Sequence, residues 1–356
     1  MKNILDINTE DSFVSECWTF YKSCIIGSYS DGRKWMSTHM EVYLDGGCGS
    51  FWGNGVYYPL DYYDDILKIA PADINKITPK KLVSYLKHKI DSNTYIVIDC
   101  DYSIIFNDKE SGAQLHEILI FEYDDEDKVF FCPTLGRNVI KIPFAWMEAS
   151  YDEIRNIYLN DPKHRYNRRT EYFFPITEIK KRKLSMSKDE FLFSCSRRIR
   201  EELKAEKSTI ERIDPEQPTG DPRYVFRGLS ILSNLNEFLL THIKNGDSVN
   251  TLPIDLTLTL LKIYEHRINL SSCLKYISEM LDSNGKLKYL YAKYMSEIQS
   301  IQRAYLISYK STLDNSPDKL PKIKDAISKN MFTECRLLSD FLAESERRTE
   351  AIYSNI

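Results

Sequence analysis

The chain changes texture once, and that change limits its fold more than any other feature of the sequence. From Met1 to about Tyr172 it carries many aromatics, glycine-bearing turns and short β-like runs; from about Ser185 onward it reads as long helical stretches with few glycines. Such a pattern predicts a domain that mixes helix and sheet, followed by a helical one. The boundary falls within Phe174 to Leu184, so the chain divides as 1–175 and 176–356. A length of 356 residues suits two domains.

In the first part, Thr94-Tyr95-Ile96-Val97-Ile98-Asp99 reads as a buried strand. Glu117 to Tyr123 and Val129 to Cys132 read as two strands joined by the acidic turn Asp124-Asp125-Glu126-Asp127, which makes a hairpin. Pro79 opens a stretch to Lys87 with apolar residues at helical spacing, and proline is favoured in a first helical turn. Helix followed by sheet gives an α+β domain. In the second part, amphipathic stretches run over Lys188 to Ile213, Gly228 to Lys244, Leu256 to Leu281, Lys286 to Tyr309 and Lys319 to Ser345. Breaks fall at Asp214-Pro215, Gly220-Asp221-Pro222, Asn245-Gly246-Asp247 and Asn315-Ser316-Pro317. An all-α helical bundle is the expectation there.

Charge and composition exclude several functions. With 42% hydrophobic and 28% charged residues and a formal net charge of -4, the chain is ordinary for a globular protein and has no bias toward nucleic acid or anionic membrane. No stretch approaches 18 consecutive apolar residues, and Met1 to Glu10 holds no signal-peptide core, so the expectation is a cytoplasmic protein that spans no membrane. Its eight cysteines are scattered, which predicts free thiols. No CxxC pair or zinc-spaced Cys/His set occurs, and Gly46-Gly47-Cys48-Gly49 lacks the Lys-Ser/Thr of a phosphate-binding loop. We therefore expect no metal and no cofactor.

Two segments carry chemistry. Ser15-Glu16-Cys17-Trp18-Thr19-Phe20 puts a cysteine at the opening of an apolar helix, behind the capping candidates Asn8, Thr9, Asp11, Ser12 and Ser15. About a hundred residues on, His116 stands at the mouth of the hairpin. A helix start and an imidazole both favour the thiolate, which is the nucleophile. The plainer reading of Cys17 is a small buried hydrophobe. Cys48, in its glycine-rich loop, is the second candidate nucleophile. His39, after Trp35 and Met36, reads as structural, whereas His88, His164, His242 and His266 have no partner legible in the sequence.

The order of Cys17, the stretch Asp45-Gly46-Gly47-Cys48-Gly49-Ser50-Phe51-Trp52, a strand ending at Asp101, and His116-Glu117-Ile118-Leu119-Ile120 with its acidic turn resembles a known family. It is the papain-like group typified by the N-terminal domain of butirosin-biosynthesis protein H, related to the peptidases that remove bacteriocin leaders. The resemblance covers about the first 160 residues. It implies a papain-like cysteine-protease fold and acyl transfer from a carrier-protein thioester, through a cysteine thioester, to an amine, as in nonribosomal peptide or polythioamide biosynthesis. The partners it implies are an acyl or peptidyl carrier protein bearing a phosphopantetheine thioester, and an amine substrate. The helical half is a candidate surface for substrate, for the carrier, or for a second copy in a homodimer. Lys180-Lys181-Arg182-Lys183 and Arg197-Arg198 fit an acidic partner, and more simply a solvated face.

Family members often carry an acidic residue in the hairpin's return arm to orient the imidazole. Here that arm reads Val129-Phe130-Phe131-Cys132-Pro133-Thr134-Leu135-Gly136-Arg137-Asn138, with no carboxylate. Pairing about a turn near Asp125 puts Cys132 or Thr134 alongside His116, and Thr134 is the better acceptor. Asp99 or Asp101, at the end of the preceding strand, is the other source of an orienting group. The expected site is thus Cys17, His116 and one of Thr134 or Asp101. A backbone N–H at the helix start and the Asp11–Ser12 region would stabilise the oxyanion. Phe51, Trp52, Tyr57, Tyr58, Tyr62 and Tyr63 suit either an acyl channel or an ordinary core. Two alternatives remain open: a cysteine peptidase that trims a leader, and a decayed papain-like domain kept as a carrier-docking scaffold.

Overall fold

In the computed structural model the described residues are 2–10, 13–15, 17–40, 42–47, 50–57, 63, 65–106, 115–160, 175–204, 207–210, 223–282, 284–314 and 319–353. Helix and sheet are mixed, in an α+β protein. The chain forms two compact units, one of residues 1–33 and 60–185, the other of residues 34–59 and 186–356. The first unit therefore runs past residue 175, and the stretch 34–59 belongs to the second. Among the described residues no helix is long and apolar enough to cross a membrane.

The first unit holds two four-stranded antiparallel sheets. One is ordered β1 (Lys2–Ile4), β7 (Glu122–Asp124), β8 (Val129–Pro133), β9 (Val139–Pro143); the other β4 (Leu67–Pro71), β10 (Ile176–Lys181), β5 (Tyr95–Asp101), β6 (Leu115–Ile120). Every residue of β5 is buried, as its apolar run requires. Helix α1 (Cys17–Gly27) lies against β6, while α3 (Pro79–Asp91) and α5 (Phe144–Asn160) pack on β5. Between β5 and β6 stands the one-turn α4 (Tyr102–Ile105).

The strand expected over 117–123 is divided at Phe121 between the two sheets: β6 pairs with β5, and β7 pairs with β1 and β8. Asp124 caps the turn by accepting from the N–H groups of Glu126 and Asp127 through Oδ1, and Lys128 closes it at φ 55°. Asp124 faces Val129 across this turn, so its centre lies beyond Asp125.

The second unit is not all-α. Its sheet is ordered β11 (Lys207–Ile210), β12 (Arg223–Arg227), β2 (Tyr43–Gly47), β3 (Ser50–Tyr57). These strands escape a sequence reading because they are short and glycine-interrupted, and because β12 finds its partner β2 at the far end of the chain. The helices are α2 (Gly32–His39), α6 (Lys188–Lys204), α7 (Ser230–Asn245), α8 (Leu256–Leu281), α9 (Lys286–Asp314) and α10 (Leu320–Tyr353). Helix α6 stops well before the expected Ile213, and the breaks at Asp214-Pro215, Gly220-Asp221-Pro222 and Asn315-Ser316-Pro317 lie outside the described residues. Gly246 ends α7 as the sequence predicts, at φ 77°, a value that suits glycine.

Buried between α6, α8, α9 and α10 is a network of charges. Arg198 donates to Glu202 Oε1 at 2.6 Å, Arg267 donates to Glu202 Oε2 at 3.0 Å and pairs with Glu334 at 2.7 Å, and Tyr294 donates to Glu334 at 3.0 Å. His266 Nε2 lies 2.6 Å from Glu202 Oε1. Arg198 is thus buried rather than part of a solvated face, while its neighbour Arg197 is half exposed.

Candidate functional site

Cys17 is the first residue of α1. That position brings the sulfur to the end of the helix where N–H groups have no helical acceptor and the dipole is positive. The thiol is half-buried, whereas Cys24, Cys100, Cys132, Cys195 and Cys273 are buried. Burial pushes the thiols of Cys100 and Cys132 far up, which leaves them protonated and inert. Cys335 is exposed on α10, and Cys48 lies outside the described residues.

The thiol donates to Glu117 Oε1 at 3.1 Å. Glu117 is buried and follows the expected base His116 directly. Consecutive side chains on a strand point opposite ways, so His116 and Glu117 lie on opposite faces of β6, the strand that α1 packs against. Among the described residues no hydrogen bond joins Cys17 to His116.

His116 is held in two ways. Its Nδ1 lies 3.0 Å from the Glu117 carbonyl oxygen, and its ring stacks on Tyr102 with centroids 4.7 Å apart. A carbonyl can only accept, so Nδ1 carries the proton in the neutral ring and Nε2 is the basic nitrogen. Two more donors meet the same carbonyl: the hydroxyl of Tyr21, one turn along α1 from Cys17, at 2.7 Å, and that of Tyr102 at 3.4 Å. Burial, with Tyr102, Cys17 and Glu117 nearby, pushes the Tyr21 hydroxyl well above its ordinary value. It therefore remains a donor.

The expected third residues stand elsewhere. Thr134 donates its hydroxyl to Asn138 O at 3.2 Å in the turn after β8. The β7–β8 register about a later turn centre, and the passage of β6 into the other sheet, remove the pairing that was to bring Thr134 beside His116. Asp101 is the N-cap of α4, and its Oδ1 accepts from the N–H and hydroxyl of Ser103 at 2.8 and 2.7 Å. Tyr102, the first residue of that helix, is the residue whose ring stacks on His116. Asp99 accepts from Tyr158 at 2.8 Å. Among the described residues no hydrogen bond joins either aspartate to the imidazole.

Of the aromatic-channel residues, the side chain of Tyr63 alone is described; it is buried, with the Lys22 ammonium 5.1 Å from its ring centre. Asp11 and Ser12 also lie outside the described residues. His39 stacks on Trp35 at 4.6 Å and its Nδ1 lies 3.0 Å from the Trp35 carbonyl, a structural setting. Sequence reasoning missed Glu117, Tyr21 and Tyr102. The signal for Glu117 was its place beside His116 and that for Tyr21 its helical spacing from Cys17, whereas no local signal marked Tyr102.

Together these residues offer a thiol, a carboxylate in contact with it, and an oriented imidazole at one strand edge. Such a set can form and discharge a covalent thioester. A scan of protein-family models finds none that matches this chain, and a search of curated proteins finds no significant match.

Proposed function

We propose that this protein is a papain-like, cysteine-dependent acyltransferase that forms amides from carrier-protein thioesters. One observation carries the reading: Cys17 starts a helix with its thiol half-buried and hydrogen-bonded at 3.1 Å to Glu117, the residue that follows His116 in the strand. The Cys17 sulfur attacks the acyl carbonyl, the donor thiol departs, and an amine then attacks the enzyme thioester while His116 Nε2 takes its proton. Thioester exchange is nearly isoenergetic and amide formation runs downhill.

The test is intact-protein mass spectrometry of wild type and Cys17→Ala after exposure to acyl-loaded carrier protein or short acyl thioesters, then to a diamine. Support is an acyl increment on wild type only, discharged as an amide. An increment that water alone discharges would favour a hydrolase; no increment would remove Cys17 and favour a docking scaffold, and an equal one on both proteins would remove Cys17 in favour of another thiol such as Cys48.

A further inference from the structure

The side chain in contact with the Cys17 sulfur is a carboxylate, and the imidazole next to it is tied elsewhere. We propose that Glu117 is the immediate acceptor of the Cys17 proton and that His116 serves the amine in the second half-reaction, an assignment that rests on the acyl-transfer reading above. Four observations carry it. The S–H donates to Glu117 Oε1 at 3.1 Å, within the reach a proton acceptor needs. Glu117 is buried, so little water competes with the thiol for its carboxylate. The sulfur stands at the positive end of α1, which favours the thiolate left behind. The Glu117 backbone is clamped at its carbonyl by Tyr21 and by His116 Nδ1, which holds the carboxylate in place and fixes which imidazole nitrogen is basic.

The step balances without any co-reactant. As the proton passes from sulfur to Oε1, the sulfur electron pair forms the bond to the thioester carbonyl carbon. The tetrahedral adduct then collapses, its bond to the donor sulfur breaks, and the departing thiolate takes the proton back from Glu117. His116 enters only when the amine attacks.

The experiment is the pH profile of Cys17 alkylation by iodoacetamide, read by peptide mass mapping, in full-length wild type, Glu117→Gln, Glu117→Asp and His116→Gln. At pH 7 we expect Glu117→Gln to slow alkylation about 10²-fold, Glu117→Asp to recover part of that loss, and His116→Gln to change the rate by less than about threefold. Alkylation of Glu117→Gln at the wild-type rate or faster overturns the proposal. A carboxylate that is merely a second anion beside the sulfur would hold the thiol protonated, and its removal would release it. If circular dichroism shows Glu117→Gln to be unfolded, the wild-type profile decides. A rate that has levelled off by pH 7 supports the assignment, and one that rises only toward the ordinary thiol range near about 8.5 overturns it. Alkylation needs no acyl donor, so the expected profile without acyl uptake would leave Glu117 standing as the acceptor of the Cys17 proton and remove both the acyl-transfer reading and the part of His116 in it.

Discussion

The ring of Tyr102 lies against the imidazole of His116, centroids 4.7 Å apart and planes 20° apart, and Tyr102 is the first residue of the turn that Asp101 caps. The strand β5 ends in an aspartate, the aspartate caps the next turn of helix, and the first residue of that turn supports the histidine. Backbone order is thereby converted into the orientation of a base.

Tyr102→Leu keeps bulk and loses the stack. A stacked aromatic pair is worth about 0.5–1.5 kcal/mol beyond its area, so discharge of the Cys17 acyl-enzyme by amine should slow up to about tenfold. Tyr102→Phe, which retains the ring, should stay within about threefold of wild type. Single-turnover mass spectrometry of the acylated protein measures both, and imidazole proton resonances moving in the leucine variant alone would report the loosened ring directly.

Asp101→Ala should cost about 1 kcal/mol of stability, the usual value of an N-cap, read as a lower urea midpoint. Asp101→Asn should recover most of that loss and retain the activity, since its side-chain oxygen can still accept from Ser103. An aspartate bonded to the imidazole would behave differently, because its amide would present the wrong group to Nδ1.

The buried network of the second unit should make the protein acid-sensitive. Burial, against the pull of Glu202, lowers His266 from 6.5 to about 4. Its Nε2 lies 2.6 Å from Glu202 Oε1 and 3.0 Å from the Arg198 guanidinium, while its Nδ1 meets no hydrogen-bond partner among the described residues, so a second ring proton is poorly accommodated. A folded pKa below the unfolded one means stability present above about 6.5 and lost as pH falls toward 4. Glu202 has the same sign: burial raises it, but His266, Arg267 and Arg198 outweigh burial and hold it far below the carboxylate range. Glu334 leans the other way, raised by burial beyond what Arg267 offsets. Unfolding free energies from urea titrations should therefore fall between pH 7 and pH 4.5, by an amount on the order of a few kcal/mol, and His266→Gln should flatten that slope. Glu202→Gln, which strands buried arginines, should cost about 3–5 kcal/mol at neutral pH.

Gly228→Ala should be among the most damaging small substitutions. Gly228 holds φ 58°, and a Cβ there would stand 2.4 Å from the Glu202 carbonyl oxygen, a backbone atom that cannot turn aside. The strain of the left-handed region alone is about 1 kcal/mol, and the displaced α6 end carries the Glu202 network with it. Thermal melting against Gly246→Ala is the comparison: that glycine has a similar φ but nothing within 4 Å of its would-be Cβ, so the difference isolates the clash.

Much of the fold was legible because it is local. Helix α8 spans the Leu256 to Leu281 stretch that the apolar spacing marks, α3 starts at Pro79, and β5 follows the run after Thr94. Cys17 at a helix start was readable for the same reason, since caps and apolar periodicity lie within a few residues of it. Thr134 shows where that reach ends. Its expected place beside His116 depended on a turn centre, and a small displacement of the turn, with the strand passing into a second sheet at Phe121, sends the pairing elsewhere.

What the sequence by itself determined is therefore the helices at Pro79 and over Leu256 to Leu281, the place of an acidic hairpin turn, and a thiol presented at a helix N-terminus, because these follow from spacing and capping along the chain. Only the tertiary structure decided that Glu117 rather than His116 meets that thiol, that Tyr102 in the turn capped by Asp101 stacks on His116, that residues 43–47 and 50–57 join a sheet with 223–227, and that Arg198 and His266 are buried together with Glu202. Each of these unites groups far apart in sequence, and which of two adjacent side chains faces a partner is set by strand register and packing, for which no single segment carries the signal.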